Sequence, residues 1–404
     1  MEQKYELLAP AGSFPTLVAA VKAGADAVYF GLKEFSMRST AKNFTIKDLN
    51  KINEICGKKI KKYLTINIII YNEELKKLEN TIKKIKGKVD AVICWDLSVI
   101  NLCKKYKIPF HISTQASISN KESAKFYKKL GAERIVLARE LNLKQIKEIS
   151  KIMPVECFIH GAMCVAVSGR CFMSQEIDGR SANRGECTQI CRRRYSVNKV
   201  ITVERSYKLS SEDGKELKLN RNTILSAKDL CTLPFLEKLK KAGITSFKIE
   251  GRNRDARYVD TVVSEYRKAI DKKQTREEIK ESLKELKKVY TKGFSSGFYL
   301  GTPTSDDFSN VENSSATEKK EFVGKITHYY PKAKVGTILI STGKLKIGDE
   351  IIIIGKTTGI EKLKIKRLEI EKKEVLEAKK GQEVGLKLPK TRINDEVYLI
   401  KKNK

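Results

Sequence analysis

The sequence predicts an α/β fold: a (β/α)8 TIM-like barrel with a Cys-rich insertion, plus a small C-terminal antiparallel β-barrel. Three observations lead there. Eight short β-rich runs alternate with helical stretches over residues 1–275. One strand-to-strand connection, 161–244, is far too long for an ordinary turn and holds five clustered cysteines. After residue 320 the pattern changes to short strands separated by Gly turns.

The eight candidate strands are Glu6–Ala9, Asp26–Phe30, Tyr63–Ile70, Ala91–Trp95, Phe110–Ser113, Arg134–Ala138, Val155–Ile159 and Ser246–Glu250. Helices with apolar residues at i, i+3 and i+7 fill the gaps. Leu75, Leu78, Ile82 and Ile85 make one such stripe, and Thr45-x-x-Asp48 reads as a capping box. An open doubly wound sheet would also alternate strand and helix. It would not require eight strands, and no G-x-G-x-x-G follows the first. The expected domains are therefore 1–275, a barrel with the insertion at about 161–244; 276–320, helix and linker; and 321–404, a small basic β-barrel. The Gly/Ser/Asn/Asp-rich stretch from Gly293 to Ser315 is the linker. Strands are expected at Phe322–Ile326, Gly336–Ser341, Glu350–Ile354, Lys362–Ile370, Glu383–Leu388 and Glu396–Ile400.

Composition narrows the function. The 404 residues are 41% apolar and 32% charged, which is globular and not disordered. No apolar run approaches a membrane span and the N-terminus does not resemble a signal peptide, so a cytoplasmic protein with no membrane partner is expected. The net charge is +32. A surplus of that size attracts polyanions, with nucleic acid the default partner, although many lysines also pair with glutamates on helix faces. Residues 320–404 hold 21 Lys/Arg against 11 Asp/Glu.

In a reducing compartment, clustered cysteines read as metal ligands. Cys164, Cys171, Cys187, Cys191 and Cys231 lie close in sequence, whereas Cys56, Cys94, Cys103 and Cys157 sit singly in apolar patterns and read as core. Zinc favours paired knuckles such as Cys187-x3-Cys191, but the other spacings are looser and suit an iron–sulfur cluster better. Both remain open on spacing. A His160–Cys164 nucleophile–base pair is a further alternative. The chain has three histidines and no H-E-x-x-H, and Gly293-Phe-Ser295-Ser-Gly297 fits G-x-S-x-G without the strand that motif needs.

The C-terminal ends of the strands carry many polar groups for buried positions: Asn67, Asp96, Ser113, Thr114, Gln115, Arg139, Glu140, His160, Lys248, Glu250 and Arg252. Active sites of such barrels lie at this mouth. Arg139, Lys248 and Arg252 would make a cationic floor for carboxylates or phosphate. Arg192, Arg193 and Arg194 are candidate phosphate contacts for RNA.

The run Glu156-x-Phe158-x2-Gly161-Ala162-Met163-Cys164-x4-Gly169-x-Cys171-x-Met173-Ser174 closely resembles the signature of the collagenase-like peptidase family U32. Leu8-Ala-Pro-Ala-Gly12, Ser113-Thr-Gln115, Asn183-Arg-Gly-Glu-Cys187, Lys228-Asp-Leu-Cys231 and Phe247-Lys-Ile-Glu-Gly-Arg252 agree, so the resemblance covers about residues 5 to 272. The run Gly343–Gly355 resembles the second-domain barrel of translation elongation factors.

The resemblance implies an enzyme whose chemistry differs from the family's name: oxygen-independent RNA hydroxylation dependent on a 4Fe–4S cluster. Its closest branch hydroxylates the tRNA wobble uridine at C5, with a prephenate-like hydroxyl donor. It implies Cys164, Cys171, Cys187 and Cys231 as cluster ligands, with Cys191 as the alternative fourth. Arg139, Lys248 and Arg252 would bind the donor, His160 and Glu250 would transfer protons, and Asn67, Ser113 and Gln115 would hold substrate. Collagenase-like peptidase activity, rRNA hydroxylation and a non-catalytic RNA-binding module are the alternatives.

Overall fold

The structure, a computed structural model, describes residues 5–39, 41–193, 207–210, 216–219, 225–311 and 313–403. Seven strands, β1 (Glu6–Ala11), β2 (Ala27–Gly31), β3 (Lys61–Thr65), β4 (Ala91–Cys94), β5 (Phe110–Ile112), β6 (Arg134–Val136) and β7 (Val155–Gly161), run parallel in sequence order. The connecting helices are α1 (Phe14–Lys22), α2 (Leu49–Cys56), α3 (Leu75–Ile85), α4 (Leu97–Tyr106), α5 (Lys121–Leu130) and α6 (Leu143–Ser150). After β7 come α7 (Met173–Asp178), the hairpin β8 (Tyr207–Ser210) and β9 (Glu216–Leu219), then β10 (Asp229–Cys231) and α8 (Leu236–Lys241). Strand β11 (Ser246–Ile249) pairs parallel with both β7 and β1 and closes an eight-stranded barrel. All eight expected strands are present, though the third ends at Thr65 and not at Ile70.

Strands covered by helices outside and packed inside are apolar on both faces. The outward face joins the helices in one large cluster. Inside lie Leu8, Ala27, Tyr29, Tyr63, Ala91 and Ile93, together with a charged layer. There Glu156, fully buried, accepts from Lys248 Nζ at 2.6 Å and from Arg134 at 3.3 Å. Arg134 also pairs with Glu6, which accepts from Tyr63 Oη at 2.7 Å and Ser246 Oγ at 2.9 Å. Each charge of this layer therefore has an opposite one, as burial demands.

Local signals behave largely as the sequence suggests. Thr45 N donates to Asp48 Oδ2 at 2.7 Å in the expected capping box. Leu78, Ile82 and Ile85 bury the face of α3, whereas Leu75 at its start is 40% exposed. Cys56, Cys94, Cys103 and Cys157 are buried.

Helices α9 (Ala256–Asp271) and α10 (Arg276–Lys287) follow the barrel. The stretch from Gly293, read from its composition as a linker, is packed. Strand β12 (Phe294–Ser295) pairs with β10, buried Tyr299 donates to Phe158 O at 2.6 Å, and Ser309 N bonds Ser226 O at 2.6 Å. Gly and Ser here let the backbone lie close against the barrel.

The C-terminal part comprises β13 (Glu318–Tyr330), β14 (Val335–Ile340), β15 (Lys344–Lys346), β16 (Glu350–Gly355), β17 (Gly359–Lys364), β18 (Leu368–Ile370), β19 (Lys373–Val375), β20 (Glu377–Lys379), β21 (Glu383–Lys387) and β22 (Glu396–Lys402). Eight form an antiparallel sheet around their own core, and β15 pairs with β20. The run expected over Lys362–Ile370 is two strands, β17 and β18. Ile352 and Ile360 turn the other way and join the barrel's cluster. Among the described residues no helix is long and apolar enough to cross a membrane.

Candidate active site at the barrel mouth

The insertion folds back over the C-terminal ends of the strands and is held there at several points. Ser39 N donates to Gly185 O at 3.1 Å. Gly185 has φ +95°, and a Cβ there would stand 2.5 Å from Ser36 O, so glycine is required. Arg184 makes two bonds to Glu74, at 2.9 and 2.6 Å, and lies over the Tyr71 ring. Arg170 donates to Gln115 O at 3.2 Å, and Cys171 N to Asn183 Oδ1 at 2.9 Å.

Beneath this cover lies a cavity of about 120 Å³. It gathers Asn67, Ser113, Gln115, Arg139, Lys248, Glu250, Arg252 and Arg192 of the expected residues, with Cys164, Cys171, Cys187 and Cys191 on its upper side. Asn67 Oδ1 accepts from Met37 N at 3.2 Å, and Ser113 Oγ donates to Gln115 Oε1. The cavity carries five cations (Arg38, Arg139, Arg192, Lys248 and Arg252) against one carboxylate, Glu250.

The cations differ in how they are satisfied. Lys248 is neutralised by Glu156 from below, so it contributes less to the floor than its position suggested. Arg252 is buried and, among the described residues, donates only to hydroxyls, Ser36 Oγ at 2.6 Å and Thr65 Oγ1 at 2.8 Å. Burial, with Arg38 nearby, depresses its pKa to about 10, still charged at neutral pH. Arg139 stacks on Phe158 with its guanidinium carbon 3.8 Å from the ring centroid, and donates to Ala162 O at 2.7 Å. Its buried Nε has no hydrogen-bond partner among the described residues. Glu250 faces Arg38 at 3.3 Å and Tyr29 Oη at 3.4 Å. Burial alone would raise its pKa, but Arg38, Arg139, Arg252 and Lys248 outweigh it and hold the carboxyl at about 2. It is an anion at neutral pH.

Two expected residues are not at this site. Strands β7 and β11 shift register so that Lys248 pairs with Phe158 but Ile249 pairs with His160. This bulge breaks the in-out alternation and puts His160 on the outward face. There it is buried among Tyr258, Tyr266 and Phe294, its Nδ1 3.4 Å from Tyr266 Oη, and burial lowers its pKa to about 3. Cys231 pairs with His160 across β10 and β7 and shares that face. Its Sγ is 3.7 Å from Tyr266 Oη, and burial raises its pKa to about 11. Cys231 thus stands apart from the other four thiols, and His160 does not face Cys164.

Arg192 is not a surface phosphate contact either: it is buried, donates to Met163 O at 3.0 Å and faces Asp229 at 3.6 Å. Arg193 pairs with Asp178 at 2.7 Å, and Arg194 lies outside the described residues. Asp96 caps α4, accepting from Ser98 N at 2.9 Å, and Glu140 is exposed. Arg38, Tyr29 and Met37 belong to the cavity without having been singled out. Arg38 lies in the long loop after β2, and such βα loops build barrel active sites; that loop length was the available signal.

Cys164, Cys171, Cys187 and Cys191 line the cavity together, a donor set of the kind that takes zinc or an iron–sulfur cluster. Burial raises the Cys191 pKa, and Cys164, Cys187 and Cys171 are near enough to raise it further. Yet among the described residues no three His, Cys, Asp or Glu side chains converge as they would around a single metal.

Residues 12–309 match the family described as Peptidase family U32, and 333–401 match Elongation factor Tu domain 2. The chain is 38% identical to the Porphyromonas gingivalis protein named "Collagenase", covering 98% of this chain and 97% of that one. It is 35% identical to "tRNA hydroxylation protein P1" of Bacillus subtilis, over 87% and 84% of the two chains. Against "23S rRNA 5-hydroxycytidine C2501 synthase" of Escherichia coli it is 38% identical, over 66% of this chain and 39% of that one. With strands β2 to β11, the cysteine insertion and the mouth residues inside the matched span, this chain belongs to peptidase family U32.

Proposed function

We propose that this protein hydroxylates an RNA base without molecular oxygen, the substrate being the tRNA wobble uridine at C5. The observation that carries this reading is the cavity itself, where four thiols face a cationic floor around one ionised carboxylate. Relatives named for tRNA and rRNA hydroxylation support it. Cys164, Cys171, Cys187 and Cys191 would hold a 4Fe–4S cluster, with Cys191 in place of Cys231. A bound cluster, with one thiolate on each of its four irons, would supply electron transfer.

The protein's own groups do the rest. Among the described residues Arg252 and Arg139 make no ion pair within 4 Å, and they would bind the carboxylates of a small, prephenate-like donor. The base would reach the cavity from its rim, unstacked from an anticodon loop. Asn67, Ser113 and Gln115 would hydrogen-bond substrate. Glu250 would accept the proton lost from the base carbon once the bound donor's carboxylates offset the cations that hold its pKa at about 2; His160 faces away. Replacing C–H by C–OH removes two electrons from the base, which must pass to the donor or to an external acceptor.

The name "Collagenase" keeps proteolysis as the second reading. A cysteine peptidase needs a base beside its nucleophile, and no histidine lines the cavity. Nucleoside mass spectrometry of tRNA from a deletion strain tests the proposal. Complementation with wild type and Cys231→Ser should restore 5-hydroxyuridine derivatives, and Cys191→Ser should not. Unchanged tRNA nucleosides in the deletion strain would defeat the RNA reading. Gelatin cleavage abolished by Cys164→Ala and indifferent to iron removal would establish the peptidase.

A further inference from the structure

A second, larger cavity of about 950 Å³ runs between the barrel and the C-terminal sheet. Its barrel side comes from the loops after β1, β2 and β11, all at the catalytic mouth, and its other wall from the β16–β17 and β21–β22 turns. Arg252 and Asn253 line both this groove and the active-site cavity, so the two share a wall at the end of β11.

The groove is cationic. Lys42, Lys51, Lys356 and Arg392 are exposed on its walls, and among the described residues none pairs with a carboxylate. Arg254 and Lys320 continue the line, held over Tyr290 at 3.4 Å and Tyr398 at 4.5 Å. The acids present are already engaged. Asp255 caps α9 and pairs with Lys320 at 2.7 Å. Asp395 is buried against Thr358 Oγ1 at 2.5 Å, and Glu396 accepts from Tyr398 Oη at 2.5 Å. Helices α1 and α9 both begin at the groove, and their positive dipole ends add to the same potential.

Resting on the RNA reading above, we propose that this interdomain groove is the track for the substrate's phosphate backbone, leading the strand past Arg252 and Asn253 so that one base enters the mouth. Exposed cations with no carboxylate partner among the described residues, spaced along a groove, fit a chain of phosphates better than a compact anion. The C-terminal sheet thereby acts as the far wall of the substrate site.

Salt-dependent binding of an anticodon stem–loop to the full chain provides the test. The triple variant Lys42→Glu, Lys356→Glu, Arg392→Glu should bind at least about ten-fold more weakly. It should also flatten the slope of log K against log salt by roughly 2, at about 0.7 to 0.9 for each phosphate that is no longer neutralised. A control with equal charge change on α4, α5 and α6 (Lys104→Glu, Lys129→Glu, Lys144→Glu), across the barrel, should keep most of the affinity and the slope. If wild type binds and modifies tRNA while the two triples behave alike, the groove assignment falls and the RNA reading stands. If wild type shows no salt-dependent RNA binding, the RNA reading itself falls. If polyglutamate competes as well as RNA at equal charge, the groove is a general anion surface and the assignment is overturned.

Discussion

Arg252 illustrates how one residue ties the site together. Its backbone carbonyl would collide with any Cβ at position 12, and its guanidinium would stand 2.6 Å from one at position 31. Two glycines in different strands or loops therefore make room for a single arginine. The buried histidines lead to a pH prediction. His111 and His160 both have pKa values lowered to about 3, chiefly by burial. Between an unfolded value near 6.5 and that native value, the unfolded chain takes up protons the native one refuses. Stability is therefore fully present above pH 6.5 and falls as pH drops toward 3, by up to about 1.4 kcal/mol per pH unit per histidine. Glu250 adds to the loss below about pH 4.5, because its native pKa is near 2. Urea midpoints at pH 7.5, 6 and 5 should decline steadily, and His160→Gln should roughly halve the decline between 6 and 5. An equal slope in that variant would remove His160 from the account.

At the level of elements, the alternation of strand and helix was legible because parallel strands packed on both faces must be apolar runs of fixed length. The mouth residues were legible for the same reason, since polar side chains at the ends of such runs stand out. The facing of His160 and Cys231 was not. One extra residue in the β7–β11 pairing reverses the side on which His160 points, and β10 then carries Cys231 with it. Nothing in the local sequence announces that bulge. The insertion's attachment depends on a few long-range contacts, chiefly Arg184 on Glu74. Arg184→Ala should leave barrel unfolding nearly unchanged, within about 1 kcal/mol for a partly exposed pair. It should increase proteolysis of the 161–193 segment several-fold. Unaltered protease sensitivity would mean that Gly185 and its neighbours suffice to hold the cover.

For the whole molecule, the contact between barrel and C-terminal sheet is extensive enough to couple the two. Ile352 and Ile360 belong to the barrel's cluster, Lys22 pairs with Glu361 at 2.5 Å, Lys362 with Asp260 at 2.6 Å, and Arg257 with Glu318. Apolar burial with flanking ion pairs is what makes two units unfold together. Wild type should therefore melt in a single transition. Gly359 has φ +70°, and a Cβ there would stand 2.7 Å from Val18 Cγ1. Gly359→Val should cost about 2 kcal/mol or more through overpacking and backbone strain, and should split the calorimetric transition in two. A single, merely shifted peak would show that the coupling survives the wedge.

Taken alone, the sequence determined the barrel, the place of the cysteines above its mouth and the excess of positive charge, because each follows from periodicity, spacing or composition. Only the folded chain decided which thiols share a cavity, which arginines lack anionic partners and where the two parts leave a charged groove. Those outcomes depend on strand register and on contacts between residues hundreds of positions apart, which no local pattern encodes.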